Sequence, residues 1–234
     1  MKATIEFHPS DYEHPHLDKV AELIAIHTYK YKGRINDLNS FMRVSGDWWK
    51  KGIQNSMLQK WANAFIPNRR KAAPDKNEFV SLIEQIFIVC QSEDEWNKMR
   101  GLIPEKIFES YFSKRHVPAQ IGYGVIVAIN QVKVLYRPKI VLDGDGNRQT
   151  VDAASWNGEF GEFVEVKFQP DAFGKKEFGY LELLEGELDQ AKVEHQILLV
   201  SFDDADFIKR MLVQKGLLRV NTRFKTMGHE EIIT

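Results

Sequence analysis

The pattern of hydrophobic and polar positions changes character near residue 118. Before that point apolar residues recur every three or four positions, which is typical of amphipathic helices. After it, short runs with a two-residue alternation are separated by turn sequences such as DGDGN and NG, which indicates strands. The predicted helices cover 16–31, 36–42, 48–65, 78–90, 92–100 and 104–115, and the predicted strands cover 121–130, 132–136, 139–142, 149–156 and 162–168.

Helical periodicity returns at 179–194, followed by a predicted strand at 196–202, a helix at 205–215 and a final strand at 217–224. This order predicts an α+β (mixed α/β) fold with a helical lobe in front of a sheet. We expect a helical N-terminal lobe at residues 1–100 and a sheet-containing domain at 101–234.

The composition is that of a globular protein with a real core, because 43% of the 234 residues are hydrophobic. No apolar run is long enough to span a bilayer, and the first residues lack the apolar centre of a secretion signal. We therefore expect a cytoplasmic protein without a membrane partner. The single cysteine, Cys90, lies in the apolar run LIEQIFIVC and is expected to be a buried hydrophobic residue.

Charge is distributed unevenly although the net charge is only -1. Between residues 30 and 71 ten Lys and Arg residues stand against two Asp residues. Such an asymmetry indicates a surface for a polyanion, and aromatic residues in the same segment suit base stacking. The same residues also fit a purely structural helical lobe or a protein-docking surface. The candidate nucleic-acid-binding residues are Lys50, Lys51, Lys60, Arg69, Arg70 and Lys71.

Charged residues also interrupt the segment VDAASWNGEFGEFVEVKF, which is otherwise rich in Val, Phe and Trp. Side chains alternate along a strand, so Glu165 and Lys167 share one face. Hairpin pairing through the NG connection is expected to bring Asp152, on the preceding strand, beside Glu165. An ordinary solvent-facing strand carries the same Glu and Lys pattern, so the pattern alone leaves both interpretations open.

Two converging carboxylates repel each other unless a cation lies between them. A hard divalent ion with oxygen ligands suits such a pair, and Mg²⁺ is the expected ion, with Mn²⁺ as a substitute. Asp152, Glu165 and the carbonyl of Val166 are the expected ligands. A metal-activated water beside the Lys167 ammonium would suit phosphodiester hydrolysis.

Asp152, twelve intervening residues and then Glu165-Val166-Lys167 resemble the core motif of the PD-(D/E)XK nuclease superfamily, over about residues 101–202. The motif's proline is replaced by Val151. The resemblance implies a restriction-endonuclease-like α-β-β-β-α-β core. It also implies that the helix before the sheet contributes Glu109, or else Glu105, to the metal site, and that the helix after it contributes Gln190.

The expected function is therefore a Mg²⁺-dependent nuclease, with DNA favoured over RNA as substrate. A role in restriction or antiviral defence, a homodimer, or a partner ATPase or sensor subunit would fit the resemblance. The alternative is a non-catalytic nucleic-acid-binding or assembly module that retains a nuclease-like fold.

Overall fold

The computed structural model describes residues 3–10, 14–116, 119–138, 147–219 and 222–232. The predicted strand at 139–142 lies outside these ranges. Helices within them are α1 Pro15–Lys30, α2 Arg34–Ser45, α3 Gln54–Phe65, α4 Pro74–Val89, α5 Glu93–Arg115, α6 Lys175–Gln190, α7 Ala205–Gln214 and α8 His229–Ile232. The strands are β1 Ile5–Pro9, β2 Gln120–Ile129, β3 Val132–Lys133, β4 Val151–Trp156, β5 Phe160–Lys167, β6 Glu194–Ser201 and β7 Lys225–Met227.

The protein has the predicted α+β class, and its backbone contacts separate two compact units. One contains the described residues 3–10 together with Phe108–Ile232, and the other contains residues 14–107. The division falls inside α5, seven residues later than the expected boundary at residue 100. It also assigns β1 to the sheet unit, whereas the sequence pattern placed all of the first hundred residues in the helical lobe.

The helical unit is built from four helices and most of a fifth. Proline occupies the first turn of α1 and of α4, where a missing N–H costs no hydrogen bond. Helices α1, α2 and α4 each bury an apolar face, as expected from their periodicity; α1 buries Leu17, Val20 and Ile24. In α3 Ala62 is the one buried residue. Within the described ranges, no helix combines the length and the apolarity needed to cross a bilayer.

The sheet unit contains one mixed sheet with the strand order β1-β2-β4-β5-β6-β7, and β3 pairs with β2. Strands β1, β2, β4 and β5 pair antiparallel, while β5, β6 and β7 pair parallel. Helix α6 connects the parallel strands β5 and β6, as such a crossover requires. A buried apolar cluster joins the sheet to α6 and α7; it includes Val127, Phe163, Leu181, Leu184, Leu199, Ile208 and Leu212.

Several features of the fold differ from the predictions. The helix expected at 48–65 begins only at Gln54. Helix α5 continues through Pro104, where two helices were expected, because Ile103 and Ile107 on either side of the proline are fully buried and offset one lost backbone hydrogen bond. Strand β1 was missed. The final strand is Lys225–Met227, while Leu218, in the expected strand, packs into the core after α7.

Candidate functional site

The pairing of β4 with β5 places Asp152 against Glu165. The antiparallel register ends at Ala153 opposite Val164, so the next two residues along the strands, Asp152 and Glu165, face each other. Beyond this point the Asp152 side chain replaces the backbone ladder, since its Oδ2 accepts a hydrogen bond of 2.7 Å from the amide of Val166. This bond fixes the direction of the Asp152 carboxylate.

The pairing of β2 with β4 is also interrupted at Asp152. Tyr123 pairs with Ala153 and Val125 pairs with Val151, whereas Gly124 between them has φ +57°. The register is the same on both sides of Gly124, so the interruption is a change of backbone conformation at one residue, which glycine adopts without strain. This left-handed glycine lies opposite the candidate carboxylate.

Both carboxylates are removed from solvent: Asp152 is 8% exposed and Glu165 is 0% exposed. Glu165 therefore does not lie on a solvent-facing strand, and the ordinary-surface interpretation of this stretch is wrong. A buried carboxylate is costly unless it is paired and hydrogen-bonded. Its surroundings must supply positive charge.

Lys167 provides one of the compensating charges. Its ammonium contacts Glu165 Oε1 and lies 3.6 Å from Asp152 Oδ2, while its side chain stays 22% exposed. The structure thus brings Asp152, Glu165 and Lys167 together, with Val166 between the last two donating its N–H to Asp152. The amine points at both carboxylates, and the Lys167 side chain is partly exposed.

Arg148 provides the second charge, and sequence reasoning missed it. Its Nη2 donates to Glu165 Oε2 at 2.5 Å and to Asp152 Oδ1 at 3.3 Å. Its Nη1 lies 3.6 Å from Glu177 Oε1, at the start of α6. Backbone hydrogen bonds of 2.8 and 3.1 Å to Tyr136 hold the residue in place. The guanidinium therefore bridges three carboxylates.

The electrostatics of the cluster follow from these contacts. Burial, together with the neighbouring Asp152 carboxylate, raises the pKa of Glu165 to about 7, although Lys167 and Arg148 oppose that shift. For Arg148 and Lys167 burial favours the neutral form, but the adjacent carboxylates outweigh it and raise the pKa of each. Both cations therefore remain charged and hold the acidic pair.

Within the part of the chain that the structure describes, Glu109 does not form a three-carboxylate metal site with Asp152 and Glu165. Its backbone carbonyl accepts a 3.3 Å hydrogen bond from Tyr123, which pairs with Ala153, and side chains alternate between the two faces along β4. Among the described residues, no group of three or more His, Cys, Asp or Glu side chains is arranged to hold a metal ion. Glu105 lies one turn earlier on α5, in the helical unit.

Gln190 lies at the end of α6 that is remote from the carboxylates. Glu177, in the first turn of α6, faces Arg148, and Gln190 is thirteen residues further on, roughly 20 Å along the helix axis. Gln190 instead lines a cavity beside β3 with Val132, Lys133 and Glu187. Glu177 is the residue that α6 contributes to the site. The sequence signal that could have indicated it is a Glu at the third position of a helix, which is typical of a capping box.

The six candidate nucleic-acid-binding cations are all exposed. Lys51 lies 3.1 Å from Asp47, and Arg69 lies 2.6 Å from Glu84. The segment from Trp48 to Pro74 contains no acidic residue, and these six are its only Lys and Arg residues. The helical unit therefore presents a surface segment with six positive charges.

The aromatic residues of the basic stretch at residues 30–71 divide into buried and partly exposed rings. Phe41 and Trp48 are buried, which matches the structural interpretation of these positions. Trp49 stacks on Phe87, with ring centroids 6.5 Å apart, and Trp61 stacks on Phe65 at 5.3 Å. The rings pack mainly against one another, so the cations rather than the aromatics define the exposed surface.

A second buried carboxylate, Glu162, lies elsewhere on β5. It is 2% exposed, and it pairs with Arg115 at 2.9 Å and with His116 at 2.5 Å. Glu162 pairs with Ser155 of β4. Because Glu162 is three positions before Glu165 on the same strand, its side chain points to the face of the sheet opposite that of Glu165. These contacts tie the end of α5 to the sheet.

Comparisons with known proteins leave the chain without a family. No family model matches it, and no curated protein matches it. Among solved structures, the crystal structure of protein VC1899 from Vibrio cholerae resembles it with a TM-score of 0.46 and 15% sequence identity. That likeness covers 99% of this chain and 56% of the other, so the chain spans little more than half the length of that protein.

Proposed function

We propose that the protein is a divalent-metal-dependent nuclease whose reaction centre is formed by Asp152, Glu165 and Lys167. The observation that supports this most strongly is the convergence of two buried carboxylates and the amine of one partly exposed lysine on one face of the sheet. A fold gains little from two adjacent buried acids, because each loses hydration and each repels the other. Such an arrangement is typical of sites that use the charge.

The donor atoms suit Mg²⁺ or Mn²⁺. Mg²⁺ keeps several of its waters and commonly uses only one or two carboxylates together with substrate phosphates, so it does not require the three converging metal-binding side chains that are absent among the described residues. Asp152 and Glu165 would hold the ion, and Val166 is the nearest source of a backbone carbonyl. When bound, the ion would supply a water of lowered pKa and offset charge on the phosphate.

The protein's own groups have separate roles in this proposal. The amide of Val166 fixes Asp152, so that this carboxylate is already oriented before substrate arrives. Lys167 remains charged, and its ammonium would donate hydrogen bonds to the oxygen that becomes negative as the phosphodiester is attacked. The buried setting strengthens that interaction relative to water.

The order of the elements supports the nuclease resemblance. Apart from the short strand β3, which pairs with β2, helix α5, strands β2, β4 and β5, helix α6 and strand β6 have the α-β-β-β-α-β order that the resemblance implies. In the sheet these strands are neighbours in the order β2-β4-β5-β6. Asp152 on the second strand and Glu165 and Lys167 on the third hold the positions of the motif, with Val151 in place of its proline.

Nucleic acid is the proposed substrate because of the acid-free segment of the helical unit. Six exposed cations within 27 residues provide the sequence-independent attraction that phosphates require. DNA is proposed over RNA, as the resemblance implies. A role in restriction or antiviral defence in the cytoplasm, as a homodimer or beside an ATPase or sensor subunit, belongs to the same proposal.

The test is cleavage of plasmid and of single-stranded substrates in Mg²⁺, Mn²⁺ or EDTA. We expect cleavage with either metal ion, none in EDTA, and loss of cleavage in Asp152→Asn and Lys167→Ala while DNA binding persists. Asp206→Asn and Lys209→Ala are matched controls, since both residues are exposed on α7, and they should cleave normally. Equal cleavage by all four variants would refute the proposal.

A non-catalytic binding module is the second candidate, and one observation favours it. Arg148 and Lys167 together already neutralise Asp152 and Glu165, so the pair is satisfied by the protein itself. This candidate predicts salt-dependent DNA binding without cleavage in any divalent ion. The wild-type protein in the same assay separates the two candidates.

A further inference from the structure

Arg148 occupies the position between the two carboxylates to which the proposed function assigns a divalent ion. We propose that Arg148 is a built-in counter-cation that competes with the metal ion for Asp152 and Glu165, so that metal binding requires displacement of the guanidinium. This inference rests on the proposed function and adds a control of metal loading to it.

The atoms in contact carry the argument. A single nitrogen, Arg148 Nη2, contacts both Asp152 Oδ1 and Glu165 Oε2, as an ion bridging the two carboxylates would. The other oxygen of each carboxylate is engaged elsewhere: Oδ2 accepts from the Val166 amide, and Oε1 contacts Lys167. The two oxygens that Arg148 holds are therefore those for which an ion must compete.

Glu177 gives the displaced guanidinium a second partner. Its Oε1 lies 3.6 Å from Arg148 Nη1, and its Oε2 is held by the backbone N–H of Gly174 at 3.0 Å. Arg148 can therefore release Asp152 and Glu165 while retaining one ion pair. Its main chain need not move, because the hydrogen bonds to Tyr136 involve backbone atoms alone. The exchange requires only side-chain rotation.

The competition is measured as Mn²⁺ affinity, by isothermal titration calorimetry or by electron paramagnetic resonance of the free ion, without substrate. A neighbouring opposite charge changes the proton affinity of a carboxylate by about 10- to 1,000-fold. We therefore expect Arg148→Gln to bind Mn²⁺ at least about tenfold more tightly than wild type. Arg137→Gln, at an exposed arginine nearby, is the matched control and should bind like wild type.

If the glutamine variant does not fold, Arg148→Lys keeps the proposal testable. A lysine retains the charge, but it lacks the fork that contacts Glu177 and the carboxylate pair together, so it should bind Mn²⁺ more tightly than wild type and less tightly than Arg148→Gln. Asp152→Asn should abolish binding in either background.

The outcomes separate this inference from the proposed function. Tighter Mn²⁺ binding by both Arg148 variants supports the competition. Unchanged or weaker binding by these folded variants, with clear binding by wild type, overturns the competition and leaves the nuclease proposal standing. Absence of Mn²⁺ binding in wild type and in both Arg148 variants overturns both.

Discussion

DNA binding by the helical unit should depend steeply on salt, and the structure sets the size of the effect. The acid-free segment exposes six cations, two of which, Lys51 and Arg69, are each paired with a carboxylate. Counting the other four as a lower limit and all six as an upper limit gives about four to six neutralised phosphates. The logarithm of the association constant should then fall with the logarithm of salt concentration with a slope of about -3.6 to -5.4.

Between about 50 and 200 mM KCl this slope weakens binding by about 150-fold for four contacts and by about 2,000-fold for six. Fluorescence anisotropy of a labelled duplex in EDTA measures binding without cleavage. The double variant Arg70→Ala with Lys71→Ala should reduce the magnitude of the slope by about 1.8, because it removes two phosphate contacts. It should weaken binding to duplexes of unrelated sequence by the same factor.

Lys19→Ala is the matched control, because Lys19 is an exposed lysine of the same unit on α1, where Asp18 and Glu22 are close in sequence. It should leave the slope unchanged. A wild-type slope shallower than -1, or equal changes in the control and the double variant, would refute the assignment of this segment to phosphate contacts.

Three further predictions concern buried titratable groups. Glu162→Gln should lower the free energy of unfolding in urea by about 1–3 kcal/mol, because it removes the charge-assisted hydrogen bonds to His116 and to the partly exposed Arg115. An unchanged unfolding curve would contradict this. Burial lowers the pKa of His27 in the folded protein, so the unfolded chain binds a proton at this residue more readily than the folded chain does, and the free energy of unfolding should fall as pH drops below about 6.5. Unfolding free energies at pH 7 and pH 5 should therefore differ more in wild type than in His27→Phe, and equal differences would argue against this role. The Cys90 thiol is buried with its pKa raised to about 12, so iodoacetamide at pH 8 should label the unfolded but not the native protein, as mass spectrometry would show.

The local patterns were sufficient for most of the sheet unit. A two-residue alternation and the NG turn predicted β4 and β5, and the same alternation placed Glu165 and Lys167 on one face. Strand β1 was missed because five alternating residues in a polar terminus are a weak signal. Its partner, β2, is more than a hundred residues away, and local patterns do not contain that pairing.

Burial and long-range charge pairing were the parts that local patterns could not supply. A Glu and a Lys two positions apart suit an exposed strand, yet Glu165 is enclosed because α6 and the neighbouring strands cover its face. Arg148 was overlooked because it follows a turn sequence, and only the fold brings its guanidinium to the carboxylates. Gln190 was assigned to the site without knowing which end of α6 faces Glu165.

The most direct test of the central claim is the position of Mn²⁺ in crystals of the protein soaked in that ion. Anomalous scattering should give a peak in contact with the carboxylates of Asp152 and Glu165, with Arg148 moved away from them. The peak should be absent from Asp152→Asn crystals treated in the same way. Wild-type crystals that leave Arg148 in place and show no peak at this pair would contradict the account.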